Sequence, residues 1–278
     1  EAKEEEEEED APKEEEETSR LPDDTAVVDK EWKTNGKGIL MRHHTDENPL
    51  DCFSQPESKK FKLRGPNYLN DRVKVNSEES RFSLECCELY SVEKTLDHVA
   101  TMKHSALHNL RREWAHPEGS NPYPIKFLIL QFQLPGMSFT MYMKARVDQD
   151  PAEAPGYLEF FRRFVEGSDE FRNERFKIVP TVNVGSWIVR QVVGGKPALL
   201  GRKIDCKYHR GEDYLEIDVD VSSSYIAQNI LGVVTGACKT LQVDLGFLIE
   251  GRSKDELPEV MIGAVRFHHV DLEAIPSL

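Results

Sequence analysis

Between residues 126 and 147 the letters leave little choice of local structure. Residues 126–134 are a strongly apolar, strand-like run, Pro135-Gly136 is a turn pair, and Phe139, Met141, Met143 and Ala145 then alternate with Thr140, Tyr142, Lys144 and Arg146. A period of two sends alternate side chains to opposite faces, so this segment is expected as a β-hairpin with a buried face. Whatever else the chain builds must cover that face.

Further strand-like runs lie at 176–179, 187–193, 203–209 and 214–221. Two more close the chain, 241–250 and 260–270, joined by a polar loop through Leu257-Pro258. Residues 61–75 show short alternating pieces broken by Gly65-Pro66, which predicts a strand pair or a strand and a bent loop. Leu89, Val92, Leu96, Val99, Met102, Ala106, Leu110 and Trp114 fall at steps of three and four, and Pro117 follows. That spacing predicts a helix over 89–114. A short amphipathic helix is expected over 157–165, stopped by Gly167, and Ser222-Ser223-Ser224 offers an N-cap to a third helix over 223–239. With strand-rich halves and no regular β-α alternation, the expectation is an α+β fold: one curved antiparallel β-sheet packed around the central helix 223–239, in a single domain over 55–278.

The chain carries 36 Lys plus Arg against 50 Asp plus Glu, a formal charge of −14. Residues 1–20 hold twelve of those carboxylates against Lys3, Lys13 and Arg20. Such a run repels itself and buries nothing, so 1–22 is expected to be a disordered acidic tail, either a solvated spacer or an arm for a basic partner. An irregular lead-in, 23–54, would dock through Trp32 and the Ile39-Leu40-Met41 cluster. The acidic balance argues against a nucleic-acid partner. With no run of eighteen apolar residues, no transmembrane segment is expected, and no secretory signal opens the chain. The missing initiator Met suggests a processed or excised fragment. Five scattered cysteines, Cys52, Cys86, Cys87, Cys206 and Cys238, suit reduced thiols in a cytosol-like compartment, with the Cys86-Cys87 pair as ordinary packing residues.

Two constellations bear on chemistry. In 214–221, alternation sends Glu216, Asp218 and Asp220 to one face, roughly 7 Å apart at twice the strand rise. Such a row can hold a divalent metal or supply a general base. The expectation set against this is a surface ladder paired with Lys203, Lys207 and Arg210 on a neighbouring strand. The second constellation interleaves cations and rings: Trp187, Arg190, Tyr208 and Arg210 are the candidate ligand-binding residues, for a phospholipid head group or a partner's carboxylate. His98, His104 and His108 read as solvated side chains, and no metalloprotease, Walker, nucleophile-elbow or EF-hand pattern occurs. No catalytic residue and no cofactor is therefore assigned.

Several ordered blocks go further: Phe176-Lys-Ile-Val-Pro180, Gly185-Ser-Trp-Ile-Val-Arg190, Lys196-Pro-Ala-Leu-Leu-Gly201, Tyr208-His-Arg-Gly211, Tyr214-Leu-Glu-Ile-Asp-Val-Asp220 and Glu256-Leu-Pro-Glu259. With Phe61-Lys-Leu-Arg-Gly65, Tyr68-Leu69, Asp71, Lys74, Gln131-Phe-Gln-Leu-Pro-Gly136 and Phe171-Arg-Asn173, they cover about 60–270. This string resembles the C-terminal domain family of the plant protein Enhanced Disease Resistance 2. The resemblance implies work beside pleckstrin-homology and START lipid-transfer domains, at phosphoinositide-bearing membranes and in plant defence or cell death. It supplies no catalytic motif. The expected function is a non-enzymatic regulatory or lipid-binding domain, cytoplasmic and peripheral to membranes, with a lipid or a protein as its partner. Any cavity should lie between the apolar sheet face and the helix 223–239, with Trp187, Arg190 and Tyr208 at its rim. The rival is a scaffold or assembly subunit held in a larger complex through its sheet edge and acidic tail. An enzyme using Glu216, Asp218 or Asp220 is the third reading.

Overall fold

The computed structural model describes residues 42–47, 49–148, 156–193, 195–273, 275 and 277. The acidic tail and the anchors Trp32 and Ile39-Leu40-Met41 lie outside them. In chain order the strands are β1 (Arg42–His43), β2 (Cys52–Ser54), β3 (Lys62–Arg64), β4 (Lys74–Asn76), β5 (Phe82–Ser91), β6 (Phe127–Leu134) and β7 (Met137–Ala145). They continue with β8 (Phe176–Val184), β9 (Ala198–Leu199), β10 (Asp205–Arg210), β11 (Tyr214–Asp220), β12 (Gln242–Ile249) and β13 (Met261–His268). The helices are α1 (Tyr68–Asp71), α2 (Leu107–Glu113), α3 (Tyr157–Glu166), α4 (Asp169–Arg175), α5 (Trp187–Val193) and α6 (Tyr225–Thr235).

The hairpin forms as the alternation requires. Phe132 of β6 faces Phe139 of β7, and Gly136 makes the turn at φ +72°. A five-stranded sheet grows around it in the order β10-β11-β6-β7-β5, and a six-stranded sheet runs β1-β2-β13-β12-β8-β9. Neighbours are antiparallel except β11 with β6 and β1 with β2. The α+β class stands, with two large sheets in place of one, the core between them and a two-stranded β3-β4 sheet beside them. Phe132 meets Phe247 and Phe139 meets Phe267 across the layers, with ring centroids 6.1 and 4.9 Å apart. The layers come so close at Gly263 that a Cβ there would overlap the Met143 sulfur.

The two ends of this sandwich are closed differently. At one end α3 drives Phe161 and Phe164 fully into the core against Phe82 and Phe176. At the other end lies α6, which Ser224 caps and which buries none of its residues. The helix read as central is thus peripheral. It lacks charged side chains all round, and only the uncharged Gln228 and Asn229 turn a polar face outward.

Two segments fold otherwise than their spacing predicts. Residues 89–114 are not one helix: β5 runs on to Ser91 through its pairing with β7, and only the short α2 is helical at the far end. Between them His98 turns left-handed at φ +54°, and the N–H groups of His98, Val99 and Ala100 bind buried carboxylates of β11. A continuous helix would need those groups for its own ladder. Residues 187–193, read as strand, form α5: β8 ends at Val184 with β12 and β9 on its two sides, and the Val189 N–H turns back to the Ser186 hydroxyl. No described helix is long and apolar enough to cross a membrane.

Candidate functional site

Where α6 closes the sandwich without filling it, an apolar cavity of about 130 Å3 opens on one side. Leu134 and Phe139 of the hairpin form one wall and Val243 and Phe267 of the second sheet the other, under Leu231 and Val234 of α6. The position between sheet and helix is the one anticipated. An engineered apolar cavity of about 150 Å3 stays dry and takes a benzene-sized guest, whereas drug-sized ligands occupy roughly 300–1,000 Å3. As it stands the cavity fits a few methylenes, and displacing a roof helix with no buried residue enlarges it.

The four candidate ligand-binding residues divide into two places. Trp187 and Arg190 sit on α5, which packs on α6. Trp187 is 72% exposed. The Arg190 guanidinium donates to the carbonyls of Val182 at 2.8 Å, Asn183 at 2.9 Å and Gly185 at 3.3 Å, fastening α5 to the end of β8. Tyr208 and Arg210 belong to β10, beyond the other end of β8. The Tyr208 hydroxyl donates to Asn173 Oδ1 at 2.9 Å under the Arg172 guanidinium, and Arg210 pairs with Glu166 at 3.3 Å. The two pairs thus stand on different elements, α5 after the end of β8 and β10 at the edge of the other sheet. None of the four lines the cavity.

The acidic row also departs from its expected setting. Glu216 and Asp218 are buried, not ranged along the surface, because residues 96–100 fold over them. Glu216 accepts the N–H groups of Val99 at 2.6 Å and Ala100 at 2.8 Å, one on each oxygen. Asp218 accepts the His98 N–H and contacts His209 Nε2, both at 3.1 Å, and the Gln131 amide, turned to donate, reaches its other oxygen at 2.9 Å. Burial holds both carboxyls above the usual carboxylate range, and the neighbouring Asp218 pushes Glu216 up further. The cations expected opposite them go elsewhere: Lys207 pairs with Asp97 and Arg210 with Glu166. Asp220 caps the turn before α6 through the Ser222 N–H. Of the three acids only Asp218 shares a metal-like grouping, with Asp97 and His209, where Lys207 already holds Asp97 at 3.0 Å. The row clamps a loop.

A third cluster explains why distant blocks of the sequence go together. Arg64 of β3 donates its backbone N–H to Glu259 at 3.0 Å and its guanidinium to Glu250 at 2.9 Å, while Lys177 of β8 pairs with Glu259 and Arg175 with Glu256 at 2.6 Å. The blocks 61–65, 176–180 and 256–259 therefore meet in one half-buried ion network. A family described as Protein ENHANCED DISEASE RESISTANCE 2, C-terminal, matches residues 53–271. The chain belongs to this family. A relative described as "Protein ENHANCED DISEASE RESISTANCE 2-like", from Arabidopsis thaliana, is 38% identical over 240 residues, covering 86% of this chain and 31% of the relative. The chain spans about a third of that relative's length. No solved structure matches it. Within this Enhanced Disease Resistance 2 C-terminal domain, the quoted blocks hold the scaffold, whereas the cavity is lined mainly by residues outside them. Its sequence signal is the charge-free stretch Tyr225–Thr235.

Proposed function

We propose that this Enhanced Disease Resistance 2 C-terminal domain is a non-catalytic, membrane-peripheral module that takes the apolar chain of an amphiphile between α6 and the two sheets. One observation carries the reading: an almost wholly apolar cavity lies under a helix that has neither a charge nor a buried residue. The half-buried apolar side of such a helix gains stability from further apolar contact, and an acyl chain inserted beneath it supplies that contact. The absence of catalysis is supported by the acids themselves, since Glu216 and Asp218 are spent on backbone N–H groups and closed off from the cavity. Strand addition to a scaffold is less favoured. The edge strands β1 and β9 are two residues long, the edge strand β10 carries Lys207 and Arg210, and the ten-residue edge strand β5 is met by Gln55, which accepts the Leu84 N–H, and by His43 at the Glu85 carbonyl, features that blunt an edge.

A fluorescent fatty-acid analogue titrated into the full 278-residue chain tests this. Saturable binding, displaced by lysophosphatidylcholine and weakened at least tenfold in Val234→Trp, is expected. No saturable binding, or equal affinity in the filled variant, contradicts it.

A further inference from the structure

We infer that α5 and α6 together form a docking face for an anionic lipid surface. This rests on the reading that the cavity takes an amphiphile, and adds where the amphiphile is collected.

The first ground is exposure. Trp187 and Ile188 on α5 are 72% and 61% exposed, and Tyr225 and Ile226 on the adjoining α6 are 79% and 68% exposed. Four large apolar side chains are thus exposed on two touching helices, and exposed apolar surface gathered in one region marks an interaction site. Trp and Tyr are the rings that settle at a membrane boundary, with an apolar body and a polar tip.

The second ground is charge. Residues 185–204 and 221–241, which contain both helices, carry Arg190, Lys196, Arg202, Lys203 and Lys239 and not one Asp or Glu. At the chain-wide proportion of 50 acids in 278 residues, a stretch of that length would carry about seven. Lys239 is paired, with Asp271 and Glu273. Arg190 is held by carbonyls, which leave its charge unneutralised. Lys203 stands two residues from Asp205, whose N–H donates to Ser223 Oγ at 2.8 Å beside the start of α6. The two stretches that expose apolar helices are thus free of acids along their length, with Asp205 and Asp220 at their margins and the Asp220 carboxylate turned onto Ser222. A protein partner of either sign would accept the apolar patch, but an anionic bilayer needs both the patch and the positive collar.

The third ground is continuity with the cavity. Ile226 lies in the exposed first turn of α6, and Leu231 and Val234, which roof the cavity, lie five and eight residues further on, roughly 8 and 12 Å along the axis. A chain leaving the bilayer at the first turn has only that distance to travel.

Co-sedimentation of the full chain with phosphatidylcholine vesicles, and with vesicles that also contain phosphatidylserine, is the test. The expected result is binding to the anionic vesicles that falls at raised salt, is at least tenfold weaker in Trp187→Asp/Ile226→Asp, and loses most of its salt dependence in Lys196→Glu/Lys203→Glu. All four positions are exposed, so unchanged melting curves should certify the variants' folds. Fatty-acid binding should survive in both, so that loss of docking and loss of the cavity's ligand are separate results. No binding to anionic vesicles, or wild-type binding by the Asp double variant, overturns the inference. So does a dimer of the wild-type chain in light scattering that the Asp double variant converts to monomer, since the face would then be occupied by a second copy.

Discussion

Glu88 sits on β5 with its carboxyl 2.8 Å from the Tyr142 hydroxyl, in an interior that pushes its pKa up to about 8. A carboxyl unfolded in water titrates near 4.5. Between those values the folded chain holds a proton that the unfolded chain has released. The stabilising contribution of this proton is complete below about pH 4.5 and is lost as pH rises through about 8. Glu216 and Asp218 act in the same direction. His268 does not offset them in this window: burial lowers its pKa to about 4, so its contribution is present above about 6.5 and lost as pH falls through about 4. The urea midpoint should therefore fall between pH 6.5 and 9, and Glu88→Gln should flatten that slope while costing about 1 kcal/mol or less at pH 6.5. A midpoint that rises over that range, or an unchanged slope in the variant, goes against this account of the buried acids.

At the scale of elements, the ion network ties β3 to β8 and to the loop between β12 and β13. Lys177 is its most enclosed cation, and burial lowers its pKa against the pull of Glu259 and Glu250. Lys177→Met leaves the buried Glu259 with the Arg64 guanidinium at 3.6 Å and the N–H groups of Arg64 and Gly251, so a loss of about 3–5 kcal/mol is expected, read as a lowered melting temperature. Near-wild-type melting would mean that the network contributes little. The same scale shows what could be read ahead of the structure. The hairpin, β8, β10, β11, β12 and β13 were legible because a period of two is a local signal, and α3 because its apolar residues recur at three and four. Residues 89–114 carry that helical spacing too, yet their shape is set by Glu216 and Asp218, more than a hundred residues along the chain. No window over 89–114 contains that fact. For the same reason the acids looked like a surface ladder: their strand shows alternation, but not the loop folded over it. Trp187 and Arg190 were picked out for their chemistry and do stand beside the cavity's roof, whereas Tyr208 resembled them in letters and packs on α4.

Over the whole molecule, one design recurs: a two-sheet sandwich plugged by aromatic α3 at one end and only covered by α6 at the other. Polar groups are well satisfied at the clamp of 96–100, and the four most exposed large apolar side chains among the described residues, Tyr225, Trp187, Ile226 and Ile188, lie on α5 and α6. On the proposed reading, position in the fold separates the part that stabilises the domain from the part that would meet a ligand. Amide hydrogen exchange along the full chain, with and without saturating lysophosphatidylcholine, examines that division directly. Without amphiphile, α6 should exchange far faster than β6 and β11; with it, protection should rise in α6 and at the Leu134–Met137 end of the hairpin and stay unchanged in α3. Protection that appears around α3, or nowhere, would contradict a ligand site beneath α6.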